Sequence, residues 1–207
     1  MYLYISTIKD LKFVGNSLRD LATFPDIARR EAGFELWQVQ LGLMPSDFKP
    51  MPTVGVGAYE IRIKLQGQWR VIYVAKKADA VYVLHCFHKT TQKTAKADIE
   101  LPLPAQTDWR LMMDADNTTV SSGNVFTDLG FAPGEAAVLA LRADLMGRLR
   151  LLVQSKAGLQ AQAAERFGIA QSRVSDLLRG KWDKFQPGHA ITLAARAGRK
   201  VELAMSS

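Results

Sequence analysis

Arg62 and Lys64 stand two residues apart in the run Ala58 to Leu65, and Arg70 begins the next run, Trp69 to Ala75, just across a short connection. Alternate side chains of an extended strand share a face. Arg62 and Lys64 therefore project together with Glu60, while Tyr59, Ile61 and Ile63 take the other side. A third run, Val81 to Phe87, leads into His85-Cys86-Phe87-His88-Lys89, and Lys93 and Lys96 follow in a polar tail. Cations on a sheet with a ring and imidazoles at its edge suit single-stranded RNA, because cations hold phosphates while a ring stacks a base. The same alternation also fits a basic strand face that only meets solvent, with His85 as a packed strand residue and Phe87 as core. Spacing leaves both readings open.

A second constellation lies in LQAQAAERFGIAQSRVSDLLRG, Leu159 to Gly180. Ala163, Ala164 and Phe167 make one face of a first helix, Gly168 supplies a left-handed turn, and Ile169, Val174, Leu177 and Leu178 make the apolar face of a second. Gln171, Ser172, Arg173 and Asp176 are then left on the exposed face, able to reach base edges in a major groove. Gly180 ends the helix, and Lys181 and Lys184 follow where a phosphate backbone would pass. This is a helix-turn-helix pattern. Asp176 equally fits a pair with Arg173 or Arg179 along the helix, and Ser172 and Ser175 equally fit plain solvation.

Elements that position these residues can be read on either side of them. Leu11 to Val14 reads as a short strand, and Asn16 or Ser17 can cap a helix through Leu21. Pro25 suits the first turn of a longer helix reaching about Leu41 and closed by Gly42. Gln66-Gly67-Gln68 and Lys77-Ala78-Asp79 are short enough for hairpins, which predicts an antiparallel sheet. Two helices followed by a meander predict an α+β domain. From Pro102 to Gly123, prolines, acids and Ser-Ser-Gly with no sustained period predict a linker. Glu135 to Val153 then reads as an amphipathic helix with Val138, Leu141, Leu145, Leu149 and Leu152 on its apolar stripe. The expected plan is two domains: α+β over 1–101, a linker over 102–123, and an all-α helix-turn-helix domain over 124–207.

The 207 residues carry a net charge of +7, which favours a polyanionic partner. Cys86 is the one cysteine, so an internal disulfide and a cysteine-built zinc site are both excluded. Without a long apolar run or a leader pattern, the expected compartment is the cytoplasm.

The ordered motifs Lys49-Pro50-Met51, Glu60 to Ile63 (EIRI), Trp69 to Ala75 (WRVIYVA), VYVLHCF and Gln92 to Thr94 (TQKT) make the front region resemble the RelE/HigB-type mRNA interferases, specifically their phage-derived Gp49-like branch. The likeness covers roughly residues 9–101. Likewise NVFTDLGF at Asn124 to Phe131, the LRADLM helix and RVSDLLRG resemble the HigA-like, Xre-type antitoxins, over 124–203. The resemblance implies a RelE-like toxin fold fused to its antitoxin. It further implies metal-independent cleavage of mRNA on the ribosome, with the ribose 2′-oxygen attacking the adjacent phosphate and no cofactor.

In that chemistry Arg62 and Arg70 would clamp phosphate with help from Lys64. His88 and Lys89 would be the acid/base candidates, Phe87 would stack a base, and Lys49 and Lys93 would contact RNA. The back half would bind operator DNA as a homodimer or larger assembly. Its Gln160 would touch phosphate, and Gln171, Ser172, Arg173, Ser175 and Asp176 would serve as readers, with Lys181 and Lys184 on the backbone. The chain departs from relatives in reading Phe87-His88-Lys89-Thr90 where they read F-Q-K-K. It also runs from Asp98-Ile99-Glu100-Leu101 into Pro102, where a toxin's final helix would continue. A threonine cap is missing before Gln160, and Ala170 stands where a serine or threonine cap is usual. These departures leave a second reading open: a DNA-binding regulator whose toxin-like domain is a catalytically dead interaction platform.

Overall fold

Alternating β-branched and aromatic residues build the sheet on which the first cation cluster stands. The computed structural model describes residues 8–75, 80–89, 117–155 and 160–201, and these divide into a sheet unit, Lys9–Ala140, and a helical unit from Leu141 onward. In the sheet unit β1 (Asp10–Val14) is followed by α1 (Ser17–Ala22) and α2 (Asp26–Gln40). Next come β2 (Phe48–Pro50), β3 (Ala58–Ile63), β4 (Trp69–Val74), β5 (Ala80–His88) and β6 (Thr118–Val120). The strand order is β2-β3-β4-β5-β1-β6.

The three central runs pair antiparallel as the hairpin spacing predicts, but β1 lies parallel to β5, so the sheet is mixed. Hairpin logic governs only strands adjacent in sequence. Between β1 and the meander the chain crosses over through α1 and α2, and such a crossover permits parallel pairing.

One sheet face packs Leu11, Phe13, Ile61, Ile63, Val71, Tyr73, Val81, Val83 and Cys86, all buried. On this side Ser17 Oγ donates to the Val83 carbonyl at 3.0 Å, pinning α1 to the sheet. Burial pushes the Cys86 thiol far above its ordinary range, with Asp20 adding to the shift, so it is kept as an unreactive thiol. Pro25 sits one residue outside α2 rather than in its first turn. Asp26, at the first helical position, takes Arg29 at 3.0 Å and Arg30 at 2.7 Å.

Part of the expected linker is structured. Residues 102–116 lie outside the described residues, but Thr118–Val120 forms β6, antiparallel to β1. Gly15 N donates to the Asn117 carbonyl and Ser121 N to the Leu11 carbonyl, each at 2.9 Å. Without β6, one edge of β1 would expose unpaired backbone groups.

The next segment packs on α2. It holds the short helix α3 (Val125–Asp128), whose N-cap Asn124 accepts from Phe126 N. A Cβ on Gly33 would meet the Phe126 ring at 2.6 Å, so glycine is what lets the ring approach α2 so closely. Trp37 stacks on Phe126 with centroids 6.3 Å apart, Arg29 lies 4.6 Å over the Phe131 ring, and Arg30 pairs with Glu135. Residues 117–140 therefore pack with the sheet unit. The division falls inside α4 (Pro133–Ser155), near the boundary of Ala140. On that helix Leu145, Leu149 and Leu152 are buried as the stripe predicts, whereas Val138 is 53 % exposed.

In the helical unit α5 (Gln160–Phe167) and α6 (Gln171–Leu178) flank Gly168, whose φ is 63°. A 3-10 turn (Trp182–Lys184) and α7 (Pro187–Arg196) follow. Phe167, Val174, Leu177, Phe185 and Leu193 are buried. Arg196 Nη1 donates to the Phe167 and Gly168 carbonyls at 3.1 and 3.2 Å, tying α7 to the turn.

Candidate nucleic-acid interfaces

Strand register decides which of the expected residues meet. Arg62 pairs across the sheet with Arg70, Arg70 with Phe87, and Ile72 with His85. Cross-strand partners share a face, so Arg62, Arg70, Phe87 and His85 lie on one side, opposite the α1–α2 side. Lys49 of β2, exposed and opposite Glu60, joins them at the edge. Directly opposed arginines repel. Two acids relieve the conflict.

Glu60 serves Arg70. Both side chains are buried, with 5 % and 6 % of their surface exposed, and Arg70 Nε lies 3.4 Å from the carboxylate without hydrogen-bond geometry. Arg70 also donates to the Trp69 carbonyl at 2.8 Å and to Gln68 Oε1 at 3.3 Å. Burial pulls its guanidinium below the usual arginine value, partly offset by Glu60. Asp47, from the segment before β2, serves the outer pair at 2.5 Å from Arg62 and 2.8 Å from Lys64. Partial burial pushes the Asp47 carboxyl up, but Lys64 and Arg62 outweigh it and hold it below the ordinary carboxylate range.

Phe87 is half-buried, stacks with His85 at 5.3 Å, and packs against an apolar cluster that includes Met51, Ile72 and Tyr82. His88 does not join this group. Its register partner is Trp69, on the α1–α2 side, where it stacks on the indole at 4.3 Å. Period-two alternation requires that opposite placement. Lys89 is half-buried, and its backbone N–H donates to the Gln68 carbonyl at 2.7 Å. Lys93 lies outside the described residues. A cavity of about 410 Å³, lined by Lys9, Met44, Val56, Tyr59 and Tyr73 among others, touches none of the Arg62-face cations. Among the described residues no cluster of three or more His, Cys, Asp or Glu side chains could hold a metal.

On the helix-turn-helix, Gln160 at the start of α5 and Gln171 and Ser172 at the start of α6 are exposed. Arg173 turns back on the fold. Its Nη2 donates to the Lys184 carbonyl at 3.2 Å and its guanidinium lies 4.8 Å over the Phe185 ring. Ser175 and Asp176 are half-buried. Asp176 pairs with neither Arg173 nor Arg179 but with Lys181 at 2.9 Å and Lys184 at 2.7 Å, and these cations hold its carboxyl at about 2. The turn after Gly180 folds the two lysines back over α6, a path that helical spacing alone does not reveal. Arg142 secures that loop, donating to the Phe185 and Asp183 carbonyls at 2.6 and 3.0 Å. As the altered cap predicts, Ala170 gives α6 no side-chain hydrogen bond. The missing threonine before Gln160 lies outside the described residues.

Sequence reading missed Asp47 and the pairing role of Glu60. The signal for Glu60 was its place on the Arg62 face. Asp47 carried none, because only β2–β3 pairing brings it near.

The fold and these clusters define a two-part protein, a sheet domain with a cationic face and a helix-turn-helix domain of the kind that binds DNA. Residues 19–104 match the family described as "Phage derived protein Gp49-like", and residues 125–206 match a family described as "Helix-turn-helix domain". The first is a toxin-type family, and together the matches support a fused toxin–antitoxin-like architecture with DNA-binding regulation. No curated protein gave a significant match to the chain. Among the described residues no helix is long and apolar enough to cross a membrane.

Proposed function

We propose that the chain is a type II toxin–antitoxin fusion of RelE/HigB and HigA type. In this reading the toxin-type part of the chain, up to residue 116, is a ribosome-dependent mRNA endoribonuclease. It is held inactive by the fused antitoxin, which binds its own operator as a dimer and represses transcription. The observation that carries the reading is the seating of residues 117–140 on β1 and α2: the start of the helix-turn-helix match packs against the toxin-type match. In cleavage, Arg62 and Lys64 would neutralise the phosphorane, Arg70 would stiffen the strand beneath them, Phe87 would stack a base, and Lys89 would supply the proton donor. His88, on the other side, contributes no contact to that group. Fusion in one chain keeps the antitoxin at high effective concentration, which favours the silent state.

Expression of the full chain beside residues 1–116, with mRNA cleavage mapped in the same cells, tests this. Cleavage by the fragment alone is the expected result. A folded fragment that cleaves nothing removes the nuclease. A second reading, a DNA-binding regulator with a dead toxin-like domain, draws on the pairing of Arg62, Lys64 and Arg70 with Asp47 and Glu60 and on the turned-away His88.

A further inference from the structure

We infer that Asp47 is a resident counterion standing in for a substrate phosphate, and that RNA binds the Arg62 face by displacing it; this rests on the RNA-binding reading of that face. Two acid–cation groups stand on this face of the sheet. Glu60 and Arg70 are buried, so no ligand can exchange with their carboxylate. The outer group is open: Asp47 is 31 % exposed, Arg62 35 % and Lys64 58 %.

Asp47 presents Oδ1 to Arg62 and Oδ2 to Lys64, one oxygen per cation. A phosphodiester offers the same valence, one negative charge over two terminal oxygens, to the same pair of donors. The carboxylate is ionised at neutral pH as any ordinary aspartate is, and its two partners hold its pKa lower still. Displacement needs little backbone movement. Arg62 N donates to the Asp47 carbonyl at 2.9 Å and Arg62 Nη2 to the Phe48 carbonyl at 3.2 Å. Both contacts use main-chain oxygens, so they persist when the side chain swings into solvent. Exposed ion pairs are individually weak, which lets a polyanion compete for the cations.

The test measures binding of a short oligouridylate to the full chain at low ionic strength by fluorescence anisotropy, in the parent, Asp47→Asn, Arg62→Gln/Lys64→Gln and the triple variant. Asp47→Asn should tighten binding about three- to tenfold, and the double variant should weaken it. The asparagine should have no effect once the two cations are gone. That last arm separates this face from RNA held by cations of the helical unit. Unchanged or weaker binding by Asp47→Asn, with weaker binding by the double variant, overturns the counterion role and leaves the RNA-binding face standing. Unchanged binding by the double variant overturns the RNA-binding face and the counterion role together. If Asp47→Asn loses its native circular dichroism, Asp47→Ser takes its place under the same outcomes. A purely structural aspartate would not strengthen binding when removed.

Discussion

Each candidate interface has an aspartate bridging two cations, and the two bridges are built differently. In the helical unit Asp176 reaches Lys181 and Lys184 within one helix and its following turn. In the sheet unit Asp47 comes from the segment before β2 to meet Arg62 and Lys64, beside the buried Glu60–Arg70 pair. The helical bridge is a local surface feature made by chain direction. Its counterpart is tertiary and adjoins a pair that the fold has enclosed. Losing a charge in the sheet unit should therefore cost folding, whereas losing Asp176 should alter little beyond the electrostatics of the α6 surface.

Glu60→Ala should show the largest effect. It leaves the Arg70 guanidinium buried opposite Arg62 without its acid, and stranding a buried charge costs about 3 kcal/mol. Urea denaturation of the full chain, followed by a near-UV signal from Trp69, should report the loss. Asp176→Ala, followed through Trp182 in the other unit, should move its transition far less. Equal shifts would break the contrast between the two bridges.

Arg173→Ala comes next and sharpens the comparison from the helical side. The sequence presents Arg173 as a DNA reader, but its guanidinium stacks on Phe185 and donates to the Lys184 carbonyl. Removing it should destabilise the helical unit by about 1 kcal/mol in thermal unfolding. Gln171→Ala, at the exposed start of α6, should leave unfolding unchanged and weaken DNA binding. If Arg173→Ala weakens DNA binding without any loss of stability, Arg173 is a reader after all.

What the sequence disclosed follows the same division between local and distant. The three central strands were legible because period two is local, and so was the Gly168 turn, because a left-handed φ there calls for glycine. The parallel placement of β1, the β6 strand and the docking of Phe126 into the notch at Gly33 were not legible. Each depends on a partner far away in the chain, and the acidic, proline-containing composition around residues 102–123 reads as linker whether or not its last residues pair. The sheet site was half legible. Alternation grouped Arg62 and Lys64 with Glu60, and a strict count along β5 would already have set His88 opposite Phe87. Asp47 could be found only after β2 was paired with β3.

The smallest expected effect is the acid titration of Asp176, and it tests the local bridge most directly. Lys184 and Lys181 hold the folded carboxyl at about 2, against an unfolded value of 3.8. Because the folded pKa is depressed, the stabilisation is fully present above the unfolded pKa and is lost as pH falls from about 4 through 2. A carboxyl carbon followed by NMR should titrate near 2 in the parent and shift back toward 3.8 in Lys181→Gln/Lys184→Gln. The helical unit's unfolding should lose its sensitivity to acid in that window in the same variant, except for what other carboxylates contribute. High salt should raise the parent's midpoint, since exposed pairs are screened. A midpoint near 3.8 in the parent at low salt would mean that the two lysines are free in solution and already available to phosphate. In that case, of the two cation sites, only the one on the sheet would carry a bound counterion.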